Sequence, residues 1–444
     1  MQKMELPEHV EEAMRMLEAN GYDAFVVGGA VRDTLMGAEP LDWDVATDAL
    51  PDRVKTIFKK HFDSGIKHGT VTVFIKSLPI EITTYRTEGD YKDYRRPETV
   101  SFTTNLYDDL IRRDFTINAL AYNHRFGFID LCHGINDLEK RVLRCIGDAN
   151  ERFGEDALRI LRALRFAATL NFGIEDKTYI AICNNKELLR NISYERIAGE
   201  LTKLIMADNR IEMLFETGVG EIILPEVSRC FSVWQNTPNH IFDVGLHTIE
   251  TVYNVPKTPI LRYAALLHDV GKPDTKRTDI HGIHTFPKHD IVSAELAREI
   301  LIRLKMPRKL INAVTGLIRM HRIKIKPTET AVKRVISSLK DVDFKDLLTL
   351  QRGDIIAQNP KYAQQRIEEL DRLWDIYCEV LRKNEPVRLK DLAVNGNDMK
   401  AIGLRSSEIG RTLRMLLSKV IKNPELNKKE ILMEIASKYE KCKN

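Results

Sequence analysis

The chain has 444 residues, of which 43% are hydrophobic and 30% charged, so it can bury substantial cores and is too long for one compact unit; roughly three domains is the length expectation. Lysine and arginine number 68 against 64 for aspartate and glutamate, and a net charge of +4 is too near balance to declare a polyanionic partner, so any such site must be local. The apolar runs, such as Ala24 to Val31, fall far short of the roughly 18 residues a bilayer span needs, which excludes a membrane protein of that kind. Met1-Gln-Lys-Met-Glu leads into a charged helical pattern with neither an apolar signal core nor an acid-free transit segment, so the cytoplasm is the expected compartment. The six cysteines (Cys132, Cys145, Cys183, Cys230, Cys378, Cys442) lack a CxxC pair, which argues against a disulfide framework and a thiolate zinc site.

Helical spacing over Pro7 to Asn20 ends at Gly21, and Tyr22 to Val27 reads as a strand running into Gly28-Gly29. Strand-like runs follow at Asp42 to Ala46, Thr70 to Ile75 and Ile80 to Tyr85, mixed with helical segments at Pro51 to Lys60 and Phe115 to Tyr122. This mixture predicts an α/β or α+β head over residues 1–149. From about Asn150 helix periodicity dominates. Boundary signals at Thr237-Pro-Asn-His and Arg382 to Pro386 then predict a neck and body over 150–236, a helical domain over 237–384 and a helical tail over 385–444.

Asp42 and Asp44 sit two apart, and in a strand such residues project from one face. Two carboxylates aimed at one spot suit magnesium bound together with substrate phosphates; the plainer reading is a solvated edge strand. Gly28-Gly29 at a strand end, before a helix, can expose backbone N–H groups to a phosphate, and Arg32 can add a charge-assisted contact, although a Gly-Gly pair is also an ordinary turn.

A strand ending in Gly-Gly, a helix, Asp-x-Asp and a later strand with an embedded acid, Glu81, together resemble the nucleotidyltransferase head shared with DNA polymerase beta. Gly65-Ile-Lys-His-Gly-Thr-Val71, Tyr91-Lys-Asp-Tyr-Arg-Arg-Pro97, Arg112-Arg113-Asp114-Phe-Thr-Ile-Asn-Ala119 and the run Arg152 to Arg165 narrow the likeness to bacterial class II tRNA nucleotidyltransferases, the CCA-adding enzymes. The resemblance is dense from Asp23 to Asp208, where Ser193-Tyr-Glu-Arg-Ile-Ala-Gly-Glu-Leu is similar to that family's neck motif. It implies an α+β fold: a polymerase-beta-like head, an all-α neck and body, an HD-type helical domain and a helical tail. It also implies a tRNA acceptor arm extended from CTP and ATP, with Asp42 and Asp44 holding magnesium. Glu81 reads equally as a third carboxylate or as a structural acid on a strand edge. Gly89 to Pro97 matches the family's flexible loop, linked to the switch towards A addition.

Asp156, Arg159, Arg162 and Arg165 recur at steps of three on one predicted helix, with Ala157, Ile160, Leu161, Leu164 and Ala168 as its apolar stripe. Cytosine and adenine both offer an amino donor beside a ring-nitrogen acceptor, so an Asp that accepts and an Arg that donates can match them and mismatch guanine and uracil. The resemblance assigns Glu155, Asp156 and Arg159 to this protein template, Arg162 and Arg165 to the incoming nucleotide, and Arg113 with Asp114 to its sugar.

Downstream, His247, His268-Asp269-Val-Gly-Lys272 and Asp354 resemble the HD phosphohydrolase motif and would hold a divalent metal, with His289 and His321 serving a second. Competing readings are an enzyme adding the final A alone, a poly(A) polymerase, a phosphohydrolase with an inactive head, and a silent RNA binder.

Overall fold

Val10, Ala13, Met14 and Leu17 recur at helical spacing, and in the computed structural model Glu8–Ala19 is helix α1 with those four side chains buried. The structure describes residues 3–65, 69–89 and 99–441. Helix α1 leads through Gly21, at φ +84°, into β1 (Phe25–Val27). There follow α2 (Gly29–Leu35), β2 (Asp44–Thr47), α3 (Pro51–Ile57), β3 (His61–Gly65), β4 (Thr70–Ile75), β5 (Leu78–Thr84), β6 (Arg86–Glu88), β7 (Val100–Phe102), α4 (Leu106–Ile111), β8 (Leu120–Asn123) and β9 (Gly127–Asp130). Seven of these strands form one sheet in the order β3-β4-β5-β2-β1-β8-β9, while β6 and β7 pair separately.

Sheet register decides where the chemistry can sit. Val27 faces Asp44 across the antiparallel β1–β2 pair, and Asp44 faces Glu81 across the parallel β2–β5 pair. The end of β1, the start of β2 and Glu81 are therefore neighbours on one rim.

Two expected elements differ. Asp42 lies in irregular chain before β2 and is exposed, so the two aspartates straddle a strand start and do not share a strand. Continuing the ladder would pair Asp42 with Gly29, already in α2, and on the other side with Pro79, which has no N–H to give. The helix expected over Phe115 to Tyr122 is one 3₁₀ turn, Thr116–Asn118, followed by β8. Strand β8 is fully buried between β1 and β9, and ladder pairing overrides its local helical spacing.

Helices dominate the rest of the first unit, which spans Met1–Leu224: α5 (Gly134–Lys140), α6 (Ala149–Glu155), α7 (Leu158–Leu170), α8 (Asp176–Asn185), α9 (Tyr194–Leu204), α10 (Met213–Glu216) and α11 (Val219–Ile223), with one short ladder, β10 (Val142–Leu143) and β11 (Gly173–Ile174). Helix α7 buries Ile160, Leu161, Leu164 and Ala168 and packs on α9.

The second unit, Pro225–Asn444, holds α12 (Pro225–Ser228), α13 (Val244–Tyr253), α14 (Pro259–Leu267), α15 (Lys272–Thr275), the hairpin β12 (Arg277–Thr278) and β13 (His284–Thr285), α16 (His289–Arg303), α17 (Arg308–Met320), α18 (Glu329–Ser338), α19 (Phe344–Ile356) and α20 (Pro360–Lys383). Its last helices, α21 (Gly396–Ala401), α22 (Ser406–Lys422) and α23 (Lys429–Lys441), close around a core of their own that includes Met399, Leu416, Val420 and Leu432. No described helix is long and apolar enough to cross a membrane.

Gly28 turns the chain from β1 into α2 at φ +71° and ψ −126°, and a Cβ there would lie 2.8 Å from Arg113 Nη1. Gly28→Ala should destabilise the protein by about 1–3 kcal/mol in urea unfolding. Gly29→Ala, whose Cβ would meet nothing nearer than Arg32 Nη2 at 3.7 Å, should change stability by less than about 0.5 kcal/mol.

Candidate active site and candidate metal centre

Around the rim of the head the side chains form one continuous network. Arg113 reaches Asn118 O with Nη1 at 3.4 Å and Asp109 Oδ2 with Nη2 at 3.2 Å, beside the Gly28 turn. Asn118 accepts Arg32 Nη1 at 2.7 Å on its side-chain oxygen and donates to Asp114 Oδ1 at 3.0 Å. Asp114 also accepts its neighbour's N–H, from Phe115 at 2.9 Å, and takes Arg162 Nε at 2.7 Å on Oδ2. Burial would raise the Asp114 carboxyl, but Arg162 and Asn118 outweigh it and hold it below the usual range. Arg165 is bonded to Glu200 of α9 at 2.6 Å.

Asp44 has the opposite electrostatics. Its carboxyl is pushed from 3.8 up to about 6, chiefly by burial, with Arg113 opposing and Glu81 and Asp42 adding repulsion. A carboxylate crowded by two others on a half-dry rim fits a divalent cation, which would relieve that repulsion.

The helix expected to carry Asp156 through Arg165 is broken. Helix α6 ends at Glu155, α7 begins at Leu158, and Asp156 stands between them with Oδ1 accepting Leu158 N at 3.1 Å. An aspartate satisfies free N–H groups at a helix start better than it fills a helix interior, which explains the break. Asp156 and Arg159 are therefore held by other groups: Asp156 Oδ2 by Arg196 of α9 at 2.7 Å, and Arg159 by the Glu155 carboxylate and the carbonyls of Arg152 and Arg112. Arg159 is 8% exposed, so this stretch is no solvated polar face. Sequence reasoning missed Arg196, Glu200, Asn118 and Asp109 as partners, although Arg196 and Glu200 lie inside the neck motif. Ile66 to His68 and Asp90 to Glu98, which carry the centres of two family motifs and most of the loop linked to A addition, lie outside the described residues.

In the second unit the six predicted residues converge from five helices and their ends. His247 lies on α13, His268 and Asp269 follow α14, His289 opens α16, His321 follows α17 and Asp354 lies on α19. They form two triads, His247 with His268 and Asp354, and Asp269 with His289 and His321, each with its ligand atoms within 4.8 Å of one another. Asp269 joins them, with Oδ2 3.2 Å from His268 Nε2 and Oδ1 3.1 Å from His289 Nε2. All four imidazoles turn Nδ1 to a backbone carbonyl: Ala357 at 3.3 Å for His247, Ala265 at 2.8 Å for His268, Phe286 at 2.8 Å for His289 and Ile318 at 2.6 Å for His321. A carbonyl only accepts, so each Nδ1 carries a proton and each ring turns its Nε2 to the centre, the arrangement by which backbone carbonyls orient metal-binding histidines. His247 Nε2, His268 Nε2 and Asp269 Oδ1 are buried without a hydrogen-bond partner. Converging ring nitrogens and carboxylate oxygens, some buried without a partner, fit divalent cations.

Charge here is settled differently. Burial would raise Asp269, but His268 and Lys272, whose Nζ is 2.5 Å from Oδ2, hold it well below the usual range. Burial lowers His321 to about 4, helped by the His268 charge. His240, not anticipated as part of this site, packs edge-on against His247 at 4.9 Å between ring centroids and is pushed down to about 3 by burial and then by Lys272.

A glycine turn, a carboxylate rim and arginine-lined helices followed by an HD cluster define a nucleotidyltransferase head joined to an HD-type helical domain. Family models agree: Poly A polymerase head domain over residues 24–144, Probable RNA and SrmB- binding site of polymerase A over 171–231, and HD domain over 252–369. The CCA-adding enzyme of Streptococcus thermophilus is 34% identical over 96% of both chains, and that of Enterococcus faecalis is 32% identical over 98% of this chain and 97% of its own. The chain belongs to the CCA-adding enzyme family. The alignment with the Lactobacillus delbrueckii enzyme is 50% identical but covers 47% of this chain and 53% of that one, so the chain spans about half the length of that relative. A Bacillus stearothermophilus CCA-adding enzyme crystallised with CTP shares the fold with a TM-score of 0.75, 27% identity and 99% coverage of both chains.

The Asp44 carboxyl titrates near 6 in the folded chain against 3.8 normally, so the folded state holds its proton more tightly and loses stability as pH rises from about 4 through 6. Asp44→Asn should stabilise the metal-free protein above that window by about 1–3 kcal/mol, read from the urea midpoint, and the two proteins should converge below pH 4.

Proposed function

We propose that the head adds cytidine and adenosine from CTP and ATP to the 3′ end of tRNA, completing CCA. The observation that carries this is the network in which Asn118 and Asp114 join Arg32 and Arg113, beside the Gly28 turn, to Arg162 of α7, with the Arg113 charge acting on Asp44 where that residue faces Glu81. The family relationship and the CTP complex of the Bacillus enzyme support the same reading.

Asp42 and Asp44 would hold magnesium, which when bound supplies a lowered pKa for the attacking 3′-hydroxyl and neutralises charge on the departing pyrophosphate. Burial, with the Glu81 and Asp42 charges adding to it, makes a bare ionised Asp44 costly and so favours that occupancy. Arg32, Arg162 and Arg165 bind the triphosphate and orient its α-phosphorus for in-line attack. Asp156 and Arg159 read the base: Arg196 holds the Asp156 carboxylate in place, and the carbonyl contacts fix the Arg159 plane. Each good bidentate pairing discriminates by about 1–3 kcal/mol, and guanine and uracil present the reversed pattern. The neck, body and tail grip the acceptor arm through backbone phosphates, with an affinity that falls as salt rises.

Three labelled tRNA transcripts, ending before CCA, after C and after CC, test the reading when incubated with CTP, ATP or both and resolved to single nucleotides. The shortest should gain three residues. Asp44→Ala should abolish addition, and Asp156→Ala should narrow the preference for C and A over U and G on the order of tenfold or more. Extension of the CC-ended transcript alone would make it an A-adding enzyme, and no extension would contradict the proposal.

The six converging histidine and aspartate side chains favour a second activity, a metal-dependent phosphohydrolase. The two triads would hold divalent cations, which when bound supply an activated water at neutral pH. Lys272, bonded to Asp269 and to Gln235 Oε1 at 2.7 Å, fixes the carboxylate between the triads. Manganese, cobalt or nickel should support hydrolysis of p-nitrophenyl phosphate or its diester. Asp354→Asn should remove that activity at least a hundredfold while leaving CCA addition within about twofold. Hydrolysis insensitive to this substitution would contradict the assignment.

A further inference from the structure

Three guanidinium groups meet over one aromatic ring. The Cζ atoms of Arg32, Arg162 and Arg165 lie 5.2, 5.3 and 3.8 Å from the ring centroid of Phe166. Arg32 comes from α2, behind the glycine turn, while Arg162 and Arg165 come from α7, which also carries Phe166. The ring is 6% exposed and is held edge-to-face against the fully buried Phe115, at 5.9 Å and 80°. Phe115 directly follows Asp114, so one short segment supplies both the carboxylate that takes Arg162 and the ring that supports Phe166.

Three like charges this close repel one another. Carboxylates answer part of that repulsion: Asp33 for Arg32 at 2.7 Å, Asp114 for Arg162 at 2.6 Å and Glu200 for Arg165 at 2.6 Å. Each of those bonds, however, occupies N–H groups that a phosphate would need. A ring acts differently, because its negative face attracts the flat face of a guanidinium and leaves the N–H edge free. An aliphatic side chain of similar volume fills the space without the attraction.

We propose that Phe166 is a positioning residue of the nucleotide site: its π face gathers Arg32 from the phosphate turn with Arg162 and Arg165 from the template helix, pre-setting their N–H edges for one triphosphate. The inference rests on the reading that these three arginines bind the triphosphate. It makes the ring's electrostatics, and not its bulk, the quantity that sets nucleotide affinity.

Phenylalanines carrying increasing numbers of fluorines, incorporated at position 166 of the full chain, weaken the negative face while almost keeping the shape. The KM values for CTP and ATP should rise steadily along that series, to on the order of tenfold for the pentafluoro ring. The melting temperature and the KM for tRNA should stay nearly constant. Phe166→Leu should raise both nucleotide KM values similarly, and Phe166→Tyr should stay within about twofold of the native enzyme. Nucleotide KM values that are flat across the fluorinated series would overturn the inference, as would a tyrosine variant as impaired as the leucine one. Arg162→Ala and Arg165→Ala separate the two levels: if they leave nucleotide KM unchanged the underlying reading fails, whereas if they raise it while the fluorinated series is flat, the role of Phe166 alone fails.

Discussion

The head depends on one buried carboxylate. Asp114 accepts from its neighbour's backbone and from Asn118 on one oxygen and from Arg162 on the other, and Asn118 passes the connection on to Arg32. Breaking such a pair from one side leaves an uncompensated buried charge, so the geometry is enforced even though the pair itself adds little net stability. Through it the 3₁₀ turn after Phe115, the helix behind the glycine turn and the arginine-bearing α7 keep a single relative arrangement. Everything proposed for nucleotide binding presupposes that arrangement.

Two aspartates, one half-buried and one buried, show how surroundings divide the work. Asp44 is pushed up to about 6, chiefly by burial and then by the carboxylates beside it. Asp269 faces imidazoles and Lys272 and is held well below the usual range, so it stays ionised in the bare protein. The same side chain is thereby set near neutrality in one place and held as an anion among imidazoles in the other.

Much of this was legible in the residues themselves. Thr70–Ile75 forms the expected strand, helices dominate after Asn150, and the scattered histidines and aspartates from His247 to Asp354, picked out by their resemblance to the HD motif, meet in two triads. What was not legible depended on partners far away in sequence. The strand at Leu120–Asn123 exists because β1 and β9 flank it, and Asp42 leaves β2 because Gly29 and Pro79 cannot continue the ladder. Stepping by three from Asp156 to Arg165 suggested one helix, but the local capping chemistry of Asp156 breaks it, and its partner Arg196 lies 40 positions on. Periodicity reports which face is apolar and cannot report which carboxylate takes which guanidinium.

The measurement that reaches the centre of this account is a double-mutant cycle on CTP binding by the full chain, comparing Arg32→Ala, Arg162→Ala and the pair. If Asp114 and Asn118 make the two arginines parts of one nucleotide site, the losses should be non-additive, with a coupling of about 1 kcal/mol or more. Losses that add within about 0.3 kcal/mol would show two independent contacts and would contradict the account.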